Sequence, residues 1–397
     1  MRELLVLGAT GSVGRSTLDV VARHPDRIRV RALAARRDVD GMLELASRFR
    51  PAVVAMADVG AARQLQQRLA IAGVVCEVIA GPDAASDLAA DRGSNTVMSA
   101  IVGGVGLQPT LAAIRAGKRV LIANKEPLVM AGALMMDEAR AHGATIIPID
   151  SEHNAIFQCM PAGYRCGDRP AGVRRLVLTA SGGPFREASA AALAAVPPEQ
   201  AVRHPNWTMG PKISVDSATL MNKGLELIEA AALYRLPPEQ LDVVIHPESV
   251  IHSLVEYIDG STLAQLGQPD MRVPIAHALA WPERWESGVG GLDFTALSRL
   301  RFEAPDPLRF PCLRLARTAL ETGGIIANVL NAANELAVEA FLQGRLSFMG
   351  IPQIVEDCCA AASAAGLPAA STLESVLNVD AWARAWCTQK LGGVVHA

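Results

Sequence analysis

From Arg2 to about Asp150 the chain alternates short, continuous apolar runs with Ala-rich stretches whose apolar residues recur at helical spacing. The runs ELLVLG, IRVRALAA, AVVAM, VVCEVIAG, NTVMSAIVG, RVLIAN and ATIIPID are rich in β-branched residues and end at Gly, Pro, Asn or Asp. They predict strands buried on both faces, as in a parallel sheet. Segments such as 16–24 and 111–117 predict helices between them. Strict strand–helix alternation predicts an α/β, Rossmann-like, doubly wound domain over residues 1–150.

After Asp150 the alternation stops. Two strand-like stretches, VRRLVLTA and DVVIHPESVIHSLVEYIDGSTLAQL, lie among loops and helices, and the second reads as antiparallel strands. An α+β middle domain over 151–285 follows from this. Gly and Pro cluster from about Glu286 to Pro311, which marks a linker, and 312–397 reads as a helical domain. Ser371 and Glu374 are spaced as a capping box ahead of its last apolar run.

At 397 residues the chain exceeds the usual size of one core, in line with several domains. No apolar run approaches the roughly 20 residues needed to cross a bilayer. The N-terminal MRELLVLGATGSVG reads as a first strand and turn rather than a secretory signal, because Glu3 interrupts its apolar stretch. With 37 basic against 40 acidic residues and 4% aromatics, the chain lacks the footprint of a nucleic-acid binder. Seven cysteines without a C-x-x-C pair suit reduced thiols in the cytoplasm.

The first strand runs into Gly8-Ala9-Thr10-Gly11-Ser12-Val13-Gly14 and then a helical segment. Glycines at this spacing allow a tight turn and close backbone approach to a pyrophosphate, while the helix start offers free N–H donors. The second strand ends Ala34-Ala35-Arg36-Arg37-Asp38, where two guanidinium groups favour a 2′-phosphate and hence NADP, although Asp38 is also the residue type that bonds ribose hydroxyls.

TIIPID ends at Asp150 and is followed by Ser151 and Glu152, where two carboxylates on a turn could bind one hard cation through oxygen. The same spacing also suits a helix N-cap with a first-turn acid. Ser181-Gly182-Gly183 offers a hydroxyl and backbone N–H groups to a phosphate. Ser217 with Asn222 and Lys223 adds hydroxyl, amide and ammonium, leaving Glu226 as a third metal ligand in competition with Asp216 and Glu229. His246 and His252 flank a strand-like run and read as packed or interfacial.

Taken together, LGATGSVGRSTLDV, AIVGGVGLQPTLAAIRAGK, LIANKE, PIDSEHNAIFQ, ASGGPFRE, HPNWTMGPKISVDSATLMNKGLE, IHPESVIHS, QLGQPDMR and LNAANE resemble the 1-deoxy-D-xylulose 5-phosphate reductoisomerase family along nearly the whole chain. The resemblance implies that Thr10, Gly11, Ser12 and Val13 hold the NADPH pyrophosphate. It places Arg36, Arg37 and Asp38 near the adenosine end, with Asn124, Glu126 and Gly210 also lining the cofactor. Asp150, Glu152 and Glu226 would ligate Mg2+ or Mn2+, with Co2+ as an alternative. Lys125, Ser151, Glu152, Ser181, His204, Ser217, Asn222, Lys223 and Glu226 would meet the substrate, and Lys125, Glu152, His204 and Trp207 would act in the chemistry. The segment from His204 to Gly210 matches the family's flexible loop and is expected to form a lid.

Two positions depart from the family pattern. Arg36 stands where a small residue, often Gly, is usual, and Pro127 follows the NKE run where Ser is usual, a change expected to affect only a loop. The implied reaction rearranges 1-deoxy-D-xylulose 5-phosphate to an aldehyde, which NADPH reduces to 2-C-methyl-D-erythritol 4-phosphate in isoprenoid synthesis. The resemblance further implies a homodimer, with 151–285 as the catalytic, metal and dimerisation domain. Two rivals stay open at this point: a metal-free NADP-dependent dehydrogenase, and a sensor that binds dinucleotide without chemistry.

Overall fold

The computed structural model describes residues 1–205, 207 and 209–394. These form two compact units, each assembled from separated stretches of chain. The first comprises Met1–Pro127, Met135–Phe157 and Asp270–Gly290, and the second Leu128–Leu134, Gln158–Pro269 and the described residues from 291 onward.

In the first unit the chain runs β1 (Arg2–Leu7), α1 (Ser12–Ala22), β2 (Ile28–Ala35), α2 (Val39–Phe49), β3 (Val53–Met56), α3 (Val59–Ile71) and β4 (Glu77–Ala80). It continues with α4 (Ala84–Ala90), β5 (Thr96–Ser99), α5 (Leu107–Arg115), β6 (Arg119–Ile122), α6 (Glu126–His142), β7 (Thr145–Pro148) and α7 (Ser151–Gln158). All seven expected strands are present, in one parallel sheet of order β4-β3-β2-β1-β5-β6-β7. Leu4, Leu5, Val6 and Leu7 of β1 are fully buried, as a central strand covered on both faces requires. The order reverses between β1 and β5, the place where open α/β sheets bind ligands beyond their carboxyl edge.

The second unit contains β8 (Val173–Ala180), α8 (Ala190–Ala194), α9 (Pro198–Ala201), α10 (Pro211–Ala218), α11 (Met221–Tyr234), β9 (Leu241–Ile245), β10 (Ile251–Tyr257) and β11 (Thr262–Leu266). The helix α12 (Arg272–Ala280) returns to the first unit, and α13 (Pro311–Thr322), α14 (Ile326–Leu342), α15 (Gly350–Ala365) and α16 (Leu373–Val394) complete the second. Its sheet has the order β11-β10-β8-β9. The reading of antiparallel strands holds for β10 with β11 and with β8, but β9 does not form a hairpin with β10. It lies on the far side of β8 and parallel to it, because the long excursion through α8–α11 brings the chain back in the same direction.

Residues 270–290 fall within the first unit, rather than with 151–269 as the sequence division has it. Arg2 Nη2 donates to the carbonyls of Ala280 (3.4 Å) and Trp281 (3.2 Å). Arg119 Nη2 donates to those of Ala278 (3.1 Å) and Trp281 (2.6 Å). Arginines at the starts of β1 and β6 thus satisfy the carbonyls left over at the end of α12. The last helix, α16, is capped one residue later than its expected box: Ser375 N donates to Thr372 Oγ1 (3.2 Å) and Thr372 N to Ser375 Oγ (2.9 Å). Among the described residues no helix is long and apolar enough to cross a membrane.

Candidate active site

In the first unit the glycine-rich turn joins β1 to α1 at the point of strand-order reversal. Gly8 has φ +78°, and a Cβ there would stand 2.4 Å from the carbonyl oxygen of Ala100, just after β5. A Cβ on Gly14 would meet the Gly8 carbonyl oxygen at 2.4 Å, so α1 lies against the turn closer than any side chain permits. Gly11 caps α1 without a side chain, which leaves the first N–H groups of the helix for an anion. Arg36, Arg37 and Asp38 are exposed after β2, and Asp38 Oδ1 accepts from Gly41 N (2.9 Å) as the cap of α2. That capping bond ties one oxygen of the one acidic side chain suited to a ribose hydroxyl here, and favours the phosphate-binding side of the earlier ambiguity.

Asn124 follows β6 and is buried; one end of its carboxamide meets Ser99 Oγ at 3.2 Å, and the other has no hydrogen-bond partner among the described residues. Ser99 in turn meets Thr110 (2.6 Å), whose hydroxyl donates to the Gly106 carbonyl (2.6 Å). These supporting residues escaped sequence reasoning, although a Ser at a strand end and a Gly-rich turn were the available signals. Lys125 caps α6, Glu126 opens it, and Pro127 sits in its first turn. The departure at Pro127 is therefore helical rather than a loop change, at a position where the missing N–H has no intrahelical acceptor to lose.

Asp150 follows β7, and both earlier readings of Asp150 and Glu152 meet here. Asp150 Oδ1 accepts from Ser151 N (3.0 Å), and Glu152 lies in the first turn of α7, so the pair is presented by a helix start and not by a turn. Lys125 Nζ stands 2.8 Å from Asp150 Oδ2. Ser151 Oγ donates to Glu152 Oε2 (2.6 Å), and buried His153 places Nδ1 4.0 Å from Asp150 Oδ2. The donors are carboxylate oxygens with no thiolate among them, the set a hard dication prefers.

In the second unit, Ser181 leaves β8 for a turn in which Gly182 and Gly183 have φ +85° and +71°. A Cβ on Gly183 would lie 2.8 Å from the Ser217 carbonyl oxygen, so only glycine lets this turn close on the end of α10. Ser181 Oγ meets His204 Nε2 at 3.0 Å, and His204 Nδ1 accepts from Trp207 N at 2.9 Å. Because Nδ1 takes a backbone proton, neutral His204 carries its own on Nε2 and donates it to Ser181. Gly183 N also donates to Ser181 Oγ (3.2 Å), which leaves the Ser181 hydroxyl proton for an outside acceptor. Trp207 is half-buried, its ring 6.1 Å from that of His252; within this segment Asn206 and Thr208 lie outside the described residues.

Half-exposed Ser217 lies in the last turn of α10, and Asn222, Lys223 and Glu226 share the first turns of α11. Lys223 Nζ donates to Glu226 Oε2, and Asn222 Nδ2 donates to Glu226 Oε1 (2.5 Å). An ammonium and an amide at a helix N-terminus favour an anion there. Of the two competitors to Glu226, Asp216 is buried with both oxygens engaged by neighbours of its own unit: Asn334 Nδ2 (2.7 Å) and Lys212 Nζ (2.8 Å). Glu229 is buried beside Cys166 and Tyr234. Burial first, and then neighbouring charge including that of Glu229, pushes both of those groups well above their ordinary pKa. His246 is fully buried and stacks on Phe302, while His252 is buried on β10.

Family models described as 1-deoxy-D-xylulose 5-phosphate reductoisomerase, its C-terminal domain, and DXP reductoisomerase C-terminal domain match residues 4–132, 146–234 and 266–386. The reductoisomerase of Methylococcus capsulatus is 57% identical over 385 residues, 97% of each chain. That of Pseudomonas fluorescens is 55% identical over 391 residues, 98% of each. A crystal structure of DOX-P reductoisomerase in complex with NADPH, fosmidomycin and magnesium matches all of both chains with a TM-score of 0.95 at 47% identity. The NADPH complex of the Zymomonas mobilis enzyme matches with a TM-score of 0.90 at 50% identity, covering 98% of this chain and 99% of that one. The chain belongs to the 1-deoxy-D-xylulose 5-phosphate reductoisomerase family.

Proposed function

We propose that the protein is an NADPH- and Mg2+-dependent reductoisomerase that converts 1-deoxy-D-xylulose 5-phosphate to 2-C-methyl-D-erythritol 4-phosphate. What carries the reading is a polar set suited to a phosphate, Ser181 with the start of α11, in a chain whose relatives bear that enzyme's name over 97% of its length. Purified protein is expected to oxidise NADPH only with deoxyxylulose phosphate and a divalent cation. Oxidation that survives a chelator would point to the metal-free dehydrogenase instead.

Bound NADPH supplies the hydride, and bound Mg2+ supplies Lewis acidity toward oxyanion charge on the sugar. The chain's own residues do the rest. Thr10, Gly11, Ser12 and Val13 hold the pyrophosphate at the start of α1, and Asn124, Glu126 and Gly210 line the remainder of the cofactor. The cradle that Gly8 and Gly14 keep open and the unpartnered end of Asn124 both fit such a ligand. Asp150, Glu152 and Glu226 offer the cation three carboxylates. Ser181, Ser217, Asn222 and Lys223 bind the substrate phosphate, with His204 toward that end. Lys125, Ser151 and Glu152 meet the reacting carbons, where Lys125 favours negative charge on oxygen. The His204–Gly210 segment excludes water, with Trp207 over the carbon chain.

Exposed Arg36 and Arg37 select the cofactor by pairing with the 2′-phosphate that NADH lacks. Replacing both by Ala is expected to lower the NADPH-to-NADH ratio of kcat/KM by about 10- to 100-fold, the loss of about 1.5–3 kcal/mol of charge-assisted hydrogen bonding. An unchanged ratio would make them solvated charges. We further propose a homodimer in which residues 151–285 supply the interface and much of the catalytic surface. The edge strand β11, with exposed Leu263 and nearby exposed Ile258, supports it, since pairing would cover both. A monomeric mass in sedimentation at micromolar concentration is the contrary result. Seven free cysteines support a cytoplasmic location, which fractionation of cells would check.

A further inference from the structure

Helix α10 has eight residues, too few to hold itself in place by propensity alone. It follows the His204–Gly210 segment directly and carries Ser217 in its last turn; Leu220, at φ +61°, then turns the chain into α11 with Asn222 and Lys223. Its orientation therefore decides where three of the proposed phosphate-binding residues point. Asp216 is 1% exposed, and a buried carboxylate is tolerated only where its oxygens meet donors. One oxygen takes the Asn334 amide and the other the Lys212 ammonium, one helical turn back. The carboxylate also fixes which way the Asn334 side chain faces, because only its amide nitrogen can donate there.

Asn334 belongs to α14, in the C-terminal helical region, and is fully buried. The next residue, Glu335, takes Asn331 Nδ2 on one oxygen (3.3 Å) and Arg384 Nη2 of α16 on the other (2.6 Å). Arg384 is held in turn by Asp380, at 2.7 and 3.0 Å. Polar bonds thus link α16 to α14 and α14 to α10. Apolar contacts alone would let a short helix rotate or slide at small cost, whereas a buried carboxylate held from two sides fixes it.

We propose that Asn334 is a positioning residue: by holding Asp216 it sets α10, and through it aims Ser217 and the start of α11 at the substrate phosphate. This rests on the phosphate assignment above, and gives the C-terminal helices a part in substrate affinity although none of the proposed substrate-binding residues lies on them.

The test compares steady-state constants, at a temperature where every variant is folded, for Asn334→Leu, Lys212→Met and the double exchange Asp216→Asn with Asn334→Asp. Asn334→Leu keeps the volume and removes the donor. It is expected to raise KM for the sugar phosphate about tenfold while leaving KM for NADPH within about twofold, as loss of one charge-assisted hydrogen bond predicts. Lys212 is only half-buried, so Lys212→Met tests the same carboxylate without endangering the fold, and its KM should move in the same direction. The exchange restores a donor and an acceptor in reversed order and should recover part of the lost affinity. A lower Tm with both KM values unchanged in Asn334→Leu and Lys212→Met would make the network structural only and overturn the positioning role. No turnover of deoxyxylulose phosphate by the unsubstituted enzyme would overturn the functional reading, and the positioning role with it.

Discussion

Asp150→Asn, Glu152→Gln and Glu226→Gln are each expected to lower kcat/KM by at least about 10³-fold, or about 4 kcal/mol of transition-state stabilisation. A dication held by oxygen depends on ligand charge, and an amide keeps the shape of the side chain while removing that charge. Binding of NADPH, read by fluorescence titration, should stay nearly unchanged, because its phosphates are assigned to the start of α1 and to Arg36 and Arg37 after β2. Full activity in EDTA would sink the proposal. The three variants should also differ in stability. Glu226 carries the counter-charge of the buried Lys223 ammonium, so its neutral replacement is expected to cost about 3–5 kcal/mol on unfolding. Asp150 faces Lys125 closer to solvent, with side-chain exposures of 14% and 11%, and its replacement should cost clearly less. Equal losses in denaturant titrations would show that burial of the ammonium does not govern the difference.

Truncation of Trp207 is expected to cost about 100-fold in kcat/KM with little loss of stability, the mark of a side chain that closes over substrate rather than one that fills a core. The alternative, a permanent core anchor, requires full burial and predicts about 3–5 kcal/mol of lost stability for the Trp207→Ala change. The ring is half-buried, with His252 at 6.1 Å, and its backbone N–H is bonded to His204 Nδ1. This bond makes Trp207 and His204 move together, so closure would aim the Nε2 proton of His204 as it lowers the indole. Trp207 emission should change when a phosphonate substrate analogue binds with NADPH and Mg2+, and a Trp207→Phe variant supplies the background of the other four tryptophans. A stability loss of core size with no ligand-dependent signal would leave the lid without its indole.

The parallel sheet was legible because its central strands are largely buried on both faces and read as mostly apolar runs, while the edge strand β4 is partly exposed. The second sheet was harder: β9 and β10 are five residues apart along the chain, an ordinary hairpin separation, and nothing local reveals that β9 has already paired with β8. The capping of α16 at Thr372 rather than Ser371 is a difference of one residue between two hydroxyl side chains, which spacing cannot resolve. At the site, residue types suggested a cation for Asp150 and Glu152 and a phosphate for Ser181, Asn222 and Lys223, the roles proposed for them above. Their sequence neighbours did not announce which acidic residues were already engaged. Asp216 and Glu226 look equally good as ligands, and both carboxylates are engaged within the second unit: Glu226 by Asn222 and Lys223 of its own helix, Asp216 by Lys212 and by Asn334, 118 residues away. The support of Asn124 by Ser99 and Thr110 was invisible for the same reason: such partners are adjacent only once β5 and β6 pair.

The arginine-capped helix α12 has a consequence for synthesis. Chain emerging from the ribosome up to Phe157 holds all seven strands of the parallel sheet, yet Arg2 and Arg119 then have no carbonyls from Ala278, Ala280 and Trp281 to meet. The first unit closes only after more than a hundred further residues have been made, and the second waits for α16. Neither can finish before the other has begun, so a fragment cut near Asp150 is an incomplete nucleotide-binding module with an uncovered flank, prone to aggregate. The two halves of the enzyme are released to fold together rather than in turn.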